Sequence, residues 1–221
     1  MPVRAFLFDF DGLIVDTEVP SRAGWEHVYR EHGHELPPEK WALVVGTVGA
    51  WDPMAHLEEL VGSPLERERI TERRRAHEFA LADAEELRPG VAAYFASADR
   101  DGVKRAIVSS ADRRWIDRHL ARLDETDGWD AIVTADHDPA RAKPSPELYL
   151  EALQLLRVAP DEAVAFEDSP NGIRAAHAAG IFCVAVPNDV TRAFDLDEAD
   201  LVVDSLADLP PDELLARFAE E

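Results

Sequence analysis

The stretch Val3-Arg4-Ala5-Phe6-Leu7-Phe8-Asp9-Phe10-Asp11-Gly12 is an apolar run that stops on two carboxylates. A short run of core-forming residues without polar alternation predicts a strand buried on both faces, as found inside parallel sheets. Carboxylates two positions apart in an extended chain point to similar sides, so Asp9 and Asp11 would crowd one place at the strand's carboxyl end. At a separation of ~4 Å and an effective dielectric of ~20 their repulsion is about 4 kcal/mol, so a cation or a retained proton must compensate it. Standing alone, the stretch could also be a solvated acidic turn made flexible by Gly12.

Further runs rich in Val, Ile and Phe read the same way: Arg105 to Val108, Ala131 to Val133, Ala163 to Phe166 and Phe182 to Val186, with Leu201 to Val203 a weaker candidate. Helical stretches lie between them, over Arg113 to Leu123, Pro146 to Leu156 and Gly172 to Ala179, the last followed by Gly180 as a C-terminal cap. Strands alternating with helices predict an α/β protein, a parallel sheet covered by helices on both faces. From Thr17 to Leu87 the alternation breaks. Asp16 or Thr17 can cap a helix running to about Glu31, with Gly33 after it, and helical patterns recur over Trp51 to Val61 and Leu65 to Ala82. No buried strand separates them, and Leu87-Arg88-Pro89-Gly90 reads as a junction. The expected division is a Rossmann-like core of residues 1–16 and 88–221, with a small helical-bundle cap of residues 17–87 inserted after the first strand. The run ERERITERRR (Glu66 to Arg75) reads as a solvated helix face of mixed charge, not an anion site.

Of 221 residues, 46% are hydrophobic and 31% charged, the balance of a folded globular chain. Lys and Arg number 23 against 45 Asp and Glu, a formal net charge of −22 whose field repels nucleic acid and anionic membranes. Any phosphate site must therefore carry its own positive charge, from a metal ion or a specific lysine. The only cysteine, Cys183, sits in an apolar run and reads as a buried, inert thiol. The N-terminal apolar run is interrupted by Asp9, unlike a secretion signal, and no stretch approaches the ~18 apolar residues of a membrane span. A cytoplasmic protein, monomer or weak dimer, is expected.

Two other predicted strands end in polar groups: Ser109-Ser110 after the second, and Glu167-Asp168-Ser169-Pro170 after the fourth. The carboxyl ends of parallel strands form the ligand crevice of such sheets, which would gather these distant segments. Asp168 or Ser169 could merely cap the helix that Pro170 begins, but that accounts for one residue and not for both carboxylates. Hard oxygen ligands suit Mg²⁺, and with Asp9 these two would furnish its shell. Lys143, in Ala142-Lys143-Pro144-Ser145-Pro146-Glu147, is held off regular structure by its prolines and supplies the local positive charge that a phosphoryl group requires.

These residues in this order resemble the haloacid-dehalogenase-like phosphohydrolase superfamily, in all four of its motifs and across most of the chain. The first motif appears as FLFDFDGLIVDTE, the second falls on Ser109 in IVSSAD, the third on Lys143 in AKPSPELY, and the fourth on Glu167 and Asp168 in FEDSPNGIRAAHAAG. The helical insertion resembles the small cap of the β-phosphoglucomutase-like branch. The resemblance implies a Mg²⁺-dependent phosphatase acting on a small phosphorylated metabolite, with sugar phosphates the family expectation. Asp9 is the implied nucleophile, forming a phosphoaspartate, and Asp11 the implied acid that protonates the leaving oxygen and then deprotonates water. Ser109, Ser110 and Lys143 are the implied phosphate-binding groups, and Asp9, the main-chain carbonyl of Asp11, Glu167 and Asp168 the implied metal ligands.

Haloacid dehalogenases lack the second aspartate of the first motif, so Asp11 argues against dehalogenation. The insertion contains only Lys40, with nothing around it to suggest the buried amine of imine-forming relatives. A phospho-accepting signalling module would use a similar residue set but would store phosphate, whereas two carboxylates under a helical cover suit turnover and water exclusion. A phosphosugar mutase is the nearer alternative. That branch has a His shortly after the Asp-Thr of the first motif and a cap Arg in Gly-x-Ser-Arg. Here Asp16-Thr17 leads into Glu18-Val19-Pro20-Ser21 and the cap segment reads Gly46-Thr47-Val48-Gly49, so neither the His nor the Arg is present, and Arg22 or Arg67 would have to substitute from another position. Hydrolysis is thus favoured. Trp25, Thr47, Val48 and Trp51 are candidate substrate contacts, although Trp at helical spacing is more often core.

Overall fold

The computed structural model describes residues 2–41 and 51–219. The readings placed on Thr47, Val48 and the segment 46–49 lie outside the described residues.

Six strands form one parallel sheet in the order β3-β2-β1-β4-β5-β6. They are β1 (Ala5–Phe8), β2 (Lys104–Ser109), β3 (Ala131–Thr134), β4 (Ala163–Glu167), β5 (Phe182–Ala185) and β6 (Leu201–Val202). The strands begin or stop within two residues of their sequence reading, and the weak candidate at Leu201 is the edge strand, pairing Val184 with Leu201. β1 lies between β2 and β4, with Phe8 level with Ile107 on one side and Phe166 on the other. The chain leaves β1 in both directions across the sheet, so the crevice opens above its carboxyl end.

Every side chain of β1 is buried, because both faces are covered. Ala5 and Leu7 point to the face carrying α7 (Glu147–Leu156) and α8 (Pro170–Ala178). Phe6 and Phe8 point to the face carrying α5 (Val91–Asp101), α6 (Arg113–Leu123) and α9 (Pro211–Ala219). The faces differ in texture. Small residues such as Ala106, Ala165, Ala175 and Ala176 line the first. On the second, Phe6, Phe8, Tyr94 and Phe166 interlock, with Phe8 stacked on Phe166 at 4.9 Å. Cys183 is fully buried and free, and burial pushes its thiol pKa well up.

The described part of the insertion contains α1 (Glu18–Glu31), the short α2 (Pro38–Trp41), α3 (Pro53–Val61) and α4 (Arg67–Ala82). Val28, Tyr29, Trp41, Met54, Leu57 and Ile70 form a small core that Val190, from the 88–221 part of the chain, also joins, and Trp25 and Trp51 pack on it. Trp25 lies under the Arg74 guanidinium at 5.3 Å and Trp51 meets His56 at 5.3 Å, so both act as packing residues. Arg22 is engaged with Glu26, and Arg67 with Glu58. Of the charged run, Arg67, Arg69 and Arg73 make the expected exposed pairs, whereas Arg74 turns inward to the buried Glu78 at 2.7 Å. The two crossings between core and insertion meet: Val15 bridges Leu87 antiparallel, and Arg88 N donates to Ile14 O at 2.9 Å. No helix among the described residues is long and apolar enough to cross a membrane.

Candidate active site

The backbone of β1 continues its ladder through Asp9, whose N–H donates to Phe166 O at 2.9 Å. That places Asp9, which is 7% exposed, at the carboxyl end of the sheet beside Glu167, the last residue of β4, and Asp168, which follows it. One carboxylate oxygen from each of Asp9, Glu167 and Asp168 lies within 4.8 Å of the others. Lys143 reaches them from the loop after β3. Its Nζ is 2.5 Å from Asp9 Oδ1, 2.6 Å from Glu167 Oε1 and 2.6 Å from Val108 O, and the residue is 1% exposed. The loop is tied to the turn that follows β2 by Lys143 N donating to Ser110 Oγ at 3.1 Å. Ser109 is buried and its Oγ accepts from Ala111 N at 3.0 Å. The structure thus gathers all seven sequence-predicted residues at the strand ends.

One ammonium faces three buried carboxylates. Burial alone would lower the pKa of Lys143, but Asp9 and Glu167 outweigh it and the pKa is raised. Burial raises Asp9 despite Lys143 beside it, and raises Glu167 to about 7. Burial also raises Asp168 well above the carboxylate range, with Asp9, Glu18 and Glu167 adding to the effect. The group is over-supplied with negative charge, the condition a divalent cation relieves. Glu167 Oε2 is buried with no hydrogen-bond partner among the described residues, so the hard-oxygen set fits a magnesium-type ion.

Glycines make room for two of these carboxylates. Gly12 has φ +80°, and a Cβ there would stand 2.2 Å from Asp168 Oδ2. At Gly172 a Cβ would stand 1.8 Å from Glu167 Oε2, so the first turn of α8 can pass against the carboxylate. Ser169, not Asp168, caps that helix by accepting from Gly172 N at 3.2 Å. Asp168 is left for the crevice.

Asp11 lies near enough to Asp9 to feel its charge. Burial first, then the charge of Asp9, pushes its carboxyl up to about 6. Its Oδ1 accepts from Thr17 Oγ1 at 2.7 Å and from Trp115 Nε1 at 2.7 Å. Thr17 therefore does not cap α1 with its side chain; Asp16 Oδ1 accepts from Val19 N at 3.3 Å instead. Sequence reasoning passed over Trp115, although its place just beyond Ser109-Ser110 at the start of a helix put it beside the crevice. It also passed over Glu18, whose carboxyl burial, followed by Asp11 and Asp9, pushes up to about 8. Tyr149 OH donates to Glu167 Oε1 at 2.6 Å. Asn188 Nδ2 donates to Asp168 Oδ2 at 2.7 Å and to Gly12 O at 3.3 Å. Arg88 donates to the carbonyls of Gly12, Val186 and Pro187. No motif spacing marks the last three, which only the fold brings in.

A parallel sheet whose strand ends hold three carboxylates and a lysine beneath a helical cap defines a capped α/β hydrolase. Comparison with known proteins gives the family. The model for "haloacid dehalogenase-like hydrolase" matches residues 3–180. The YhcW protein of Bacillus subtilis (strain 168) is 41% identical over 207 residues, 94% of each chain. Hexitol phosphatase A of Escherichia coli (strain K12) is 31% identical over 210 residues, 93% of each. The crystal structure of CbbY from Rhodobacter sphaeroides in complex with phosphate superposes with TM-score 0.75 at 30% identity, covering 94% of this chain and 96% of that one. The chain belongs to the haloacid dehalogenase-like hydrolases, in the β-phosphoglucomutase-like phosphatase branch with a helical cap.

Proposed function

We propose that the protein is a Mg²⁺-dependent phosphatase of small phosphorylated metabolites, with sugar phosphates the expected class, working through a phosphoaspartate on Asp9. The observation that carries this reading is the buried Lys143 ammonium shared by Asp9 and Glu167 next to Asp168. Such a cradle offers a nucleophile, a fixed positive charge and a cation site within one phosphate's reach. Relatives support the substrate class: one is named a hexitol phosphatase, and CbbY has been solved with xylulose-(1,5)bisphosphate.

Asp9, Asp168 and the main-chain carbonyl of Asp11 would hold Mg²⁺, with Glu167 acting through water. When bound, the ion supplies Lewis-acid stabilisation of charge building on the phosphoryl oxygens. Asp9 attacks phosphorus while Asp11, protonated, gives its proton to the leaving oxygen. Asp11 then takes a proton from the water that opens the phosphoaspartate. Lys143, Ser109 and Ser110 hold the phosphoryl oxygens. Residues 17–87 act as the cap that excludes bulk water, and residues 1–16 with 88–221 as the catalytic core.

The test is a phosphate-release screen with Mg²⁺ over hexitol phosphates, hexose 6-phosphates and pentulose bisphosphates. Release from at least one is expected. A parallel incubation with β-glucose 1-phosphate and a trace of glucose 1,6-bisphosphate separates the mutase: glucose 6-phosphate forming faster than free phosphate overturns the phosphatase reading.

A further inference from the structure

Asp11 is gripped from two sides through a single oxygen, since Thr17 and Trp115 both donate to Oδ1. Trp115 stands in the first turn of α6, which Asp112 caps by accepting from Trp115 N at 2.9 Å. Its ring is fixed from two directions. His119, one turn further along α6, meets it edge-on at 4.2 Å. Phe79, from cap helix α4, stacks on it at 5.6 Å with the planes 28° apart. The indole that reaches the catalytic carboxyl from the core therefore rests against the cap.

An acid that delivers a proton must present one particular oxygen to the leaving atom, and rotation of the carboxyl would exchange the two. With Oδ1 accepting two hydrogen bonds, Oδ2 is the oxygen that carries the proton. After transfer the same two donors hold the carboxylate, and hydrogen bonds to an ionised acceptor are the stronger kind.

We propose that Trp115 is a positioning residue for proton transfer: its indole N–H fixes the Asp11 carboxyl, and its stacking on Phe79 makes that grip depend on the seating of helix α4. The inference rests on Asp11 being the general acid. In the step concerned, the bond from an Asp9 oxygen to phosphorus forms and the phosphorus–oxygen bond to the leaving group breaks. The leaving oxygen keeps the electron pair and takes the proton from Asp11 Oδ2.

Leaving-group dependence tests this. A hexitol 6-phosphate releases an alkoxide that must be protonated, whereas p-nitrophenyl phosphate releases a phenolate that needs no proton. The quantity to compare is kcat/KM, which reports phosphoryl transfer to Asp9 and not the later hydrolysis common to both substrates. For Trp115→Phe, kcat/KM on the hexitol phosphate should fall about ten- to a hundredfold, part of the ~10²–10⁴ that positioned acid catalysis contributes. On p-nitrophenyl phosphate the fall should stay below about threefold, because no proton is required there. Phe79→Leu keeps the indole N–H but removes its support, and should show the same pattern at smaller amplitude; it also carries the test if Trp115→Phe does not fold. Equal losses on both substrates in both variants would overturn the proposal. Asp11→Asn is the control: if it loses the hexitol phosphate selectively while Trp115→Phe does not, the positioning role alone fails. If Asp11→Asn shows no such selectivity, the general-acid reading fails with it.

Discussion

The ammonium of Lys143 and the carboxylate of Asp9 meet at 2.5 Å, with Lys143 1% and Asp9 7% exposed. Nothing but each other and the neighbouring site groups can satisfy charges so far from water. Lys143→Met should therefore leave Asp9 and Glu167 as uncompensated buried carboxylates, at a cost of about 3–5 kcal/mol, the usual penalty for breaking a buried pair from one side. Urea unfolding in chelator should show the loss, and Mg²⁺ should stabilise the variant more than the wild type. An unchanged midpoint would contradict the geometry.

Asp9→Asn should abolish turnover and leave no phosphoenzyme, because a carboxamide is a poor nucleophile and a weaker ligand for a hard cation. Phosphate release, with beryllofluoride trapping of the aspartyl adduct, reads both. Activity within about tenfold of wild type would mean another nucleophile, since loss of a covalent catalyst costs far more than that.

Chelation should remove activity, Mg²⁺ should restore it, and Ca²⁺ should inhibit through its larger, looser coordination sphere. Asp168→Ala should raise the Mg²⁺ requirement steeply and Glu167→Ala more mildly. Asn188→Ala, which removes the donor 2.7 Å from Asp168 Oδ2, should fall between them. A Mg²⁺ titration of each variant ranks the three, and full activity in excess chelator sinks the metal role.

Gly12→Ala should damage both fold and site. The new Cβ would sit 2.2 Å from Asp168 Oδ2 and 2.5 Å from Asn188 Nδ2 on a backbone held at φ +80°. A strained backbone of this kind costs about 1–3 kcal/mol, and the displaced Asp168 should weaken Mg²⁺ binding. Calorimetric titration of Mg²⁺ tests the second effect separately from stability.

His119 is fully buried between Phe10 and Trp115. Burial, then Arg122 and Arg118, depress its pKa from 6.5 to about 4. Between these values the unfolded chain binds a proton that the folded one refuses. The contribution of His119 to stability is therefore complete above about pH 6.5 and lost as pH falls towards 4, by an amount of up to about 3 kcal/mol. His119→Leu should flatten the dependence of melting temperature on pH across this window. An unaltered slope would place the acid sensitivity elsewhere.

The sheet was legible because strands covered on both faces have no polar alternation to blur them: Ala5 to Phe8 and Ala163 to Phe166 read directly as buried runs. The site was legible for a related reason. A chain of net charge −22 still ends three strands in chemically matched groups and keeps one lysine for them. Thr17, Trp115 and Asn188 were not readable in those roles, because each acts through a contact made only when distant segments meet. Thr17 looked like a helix cap, and its hydroxyl instead reaches back to Asp11. The inward turn of Arg74 was hidden in a run whose other arginines are solvated.

The bridge between Val15 and Leu87 bears on how such a protein can change over evolutionary time. Because the chain leaves the core and returns to it at adjacent points, a change in the length of the helices between them would not by itself alter the order of the strands. Replacing the segment as a unit would leave the carboxylates of the strand ends and Lys143 in place, while the contacts of Thr17 with Asp11 and of Phe79 with Trp115 would have to be rebuilt. The joint itself is what must be kept, for there Arg88 fastens the returning chain to the carbonyls of Gly12, Val186 and Pro187.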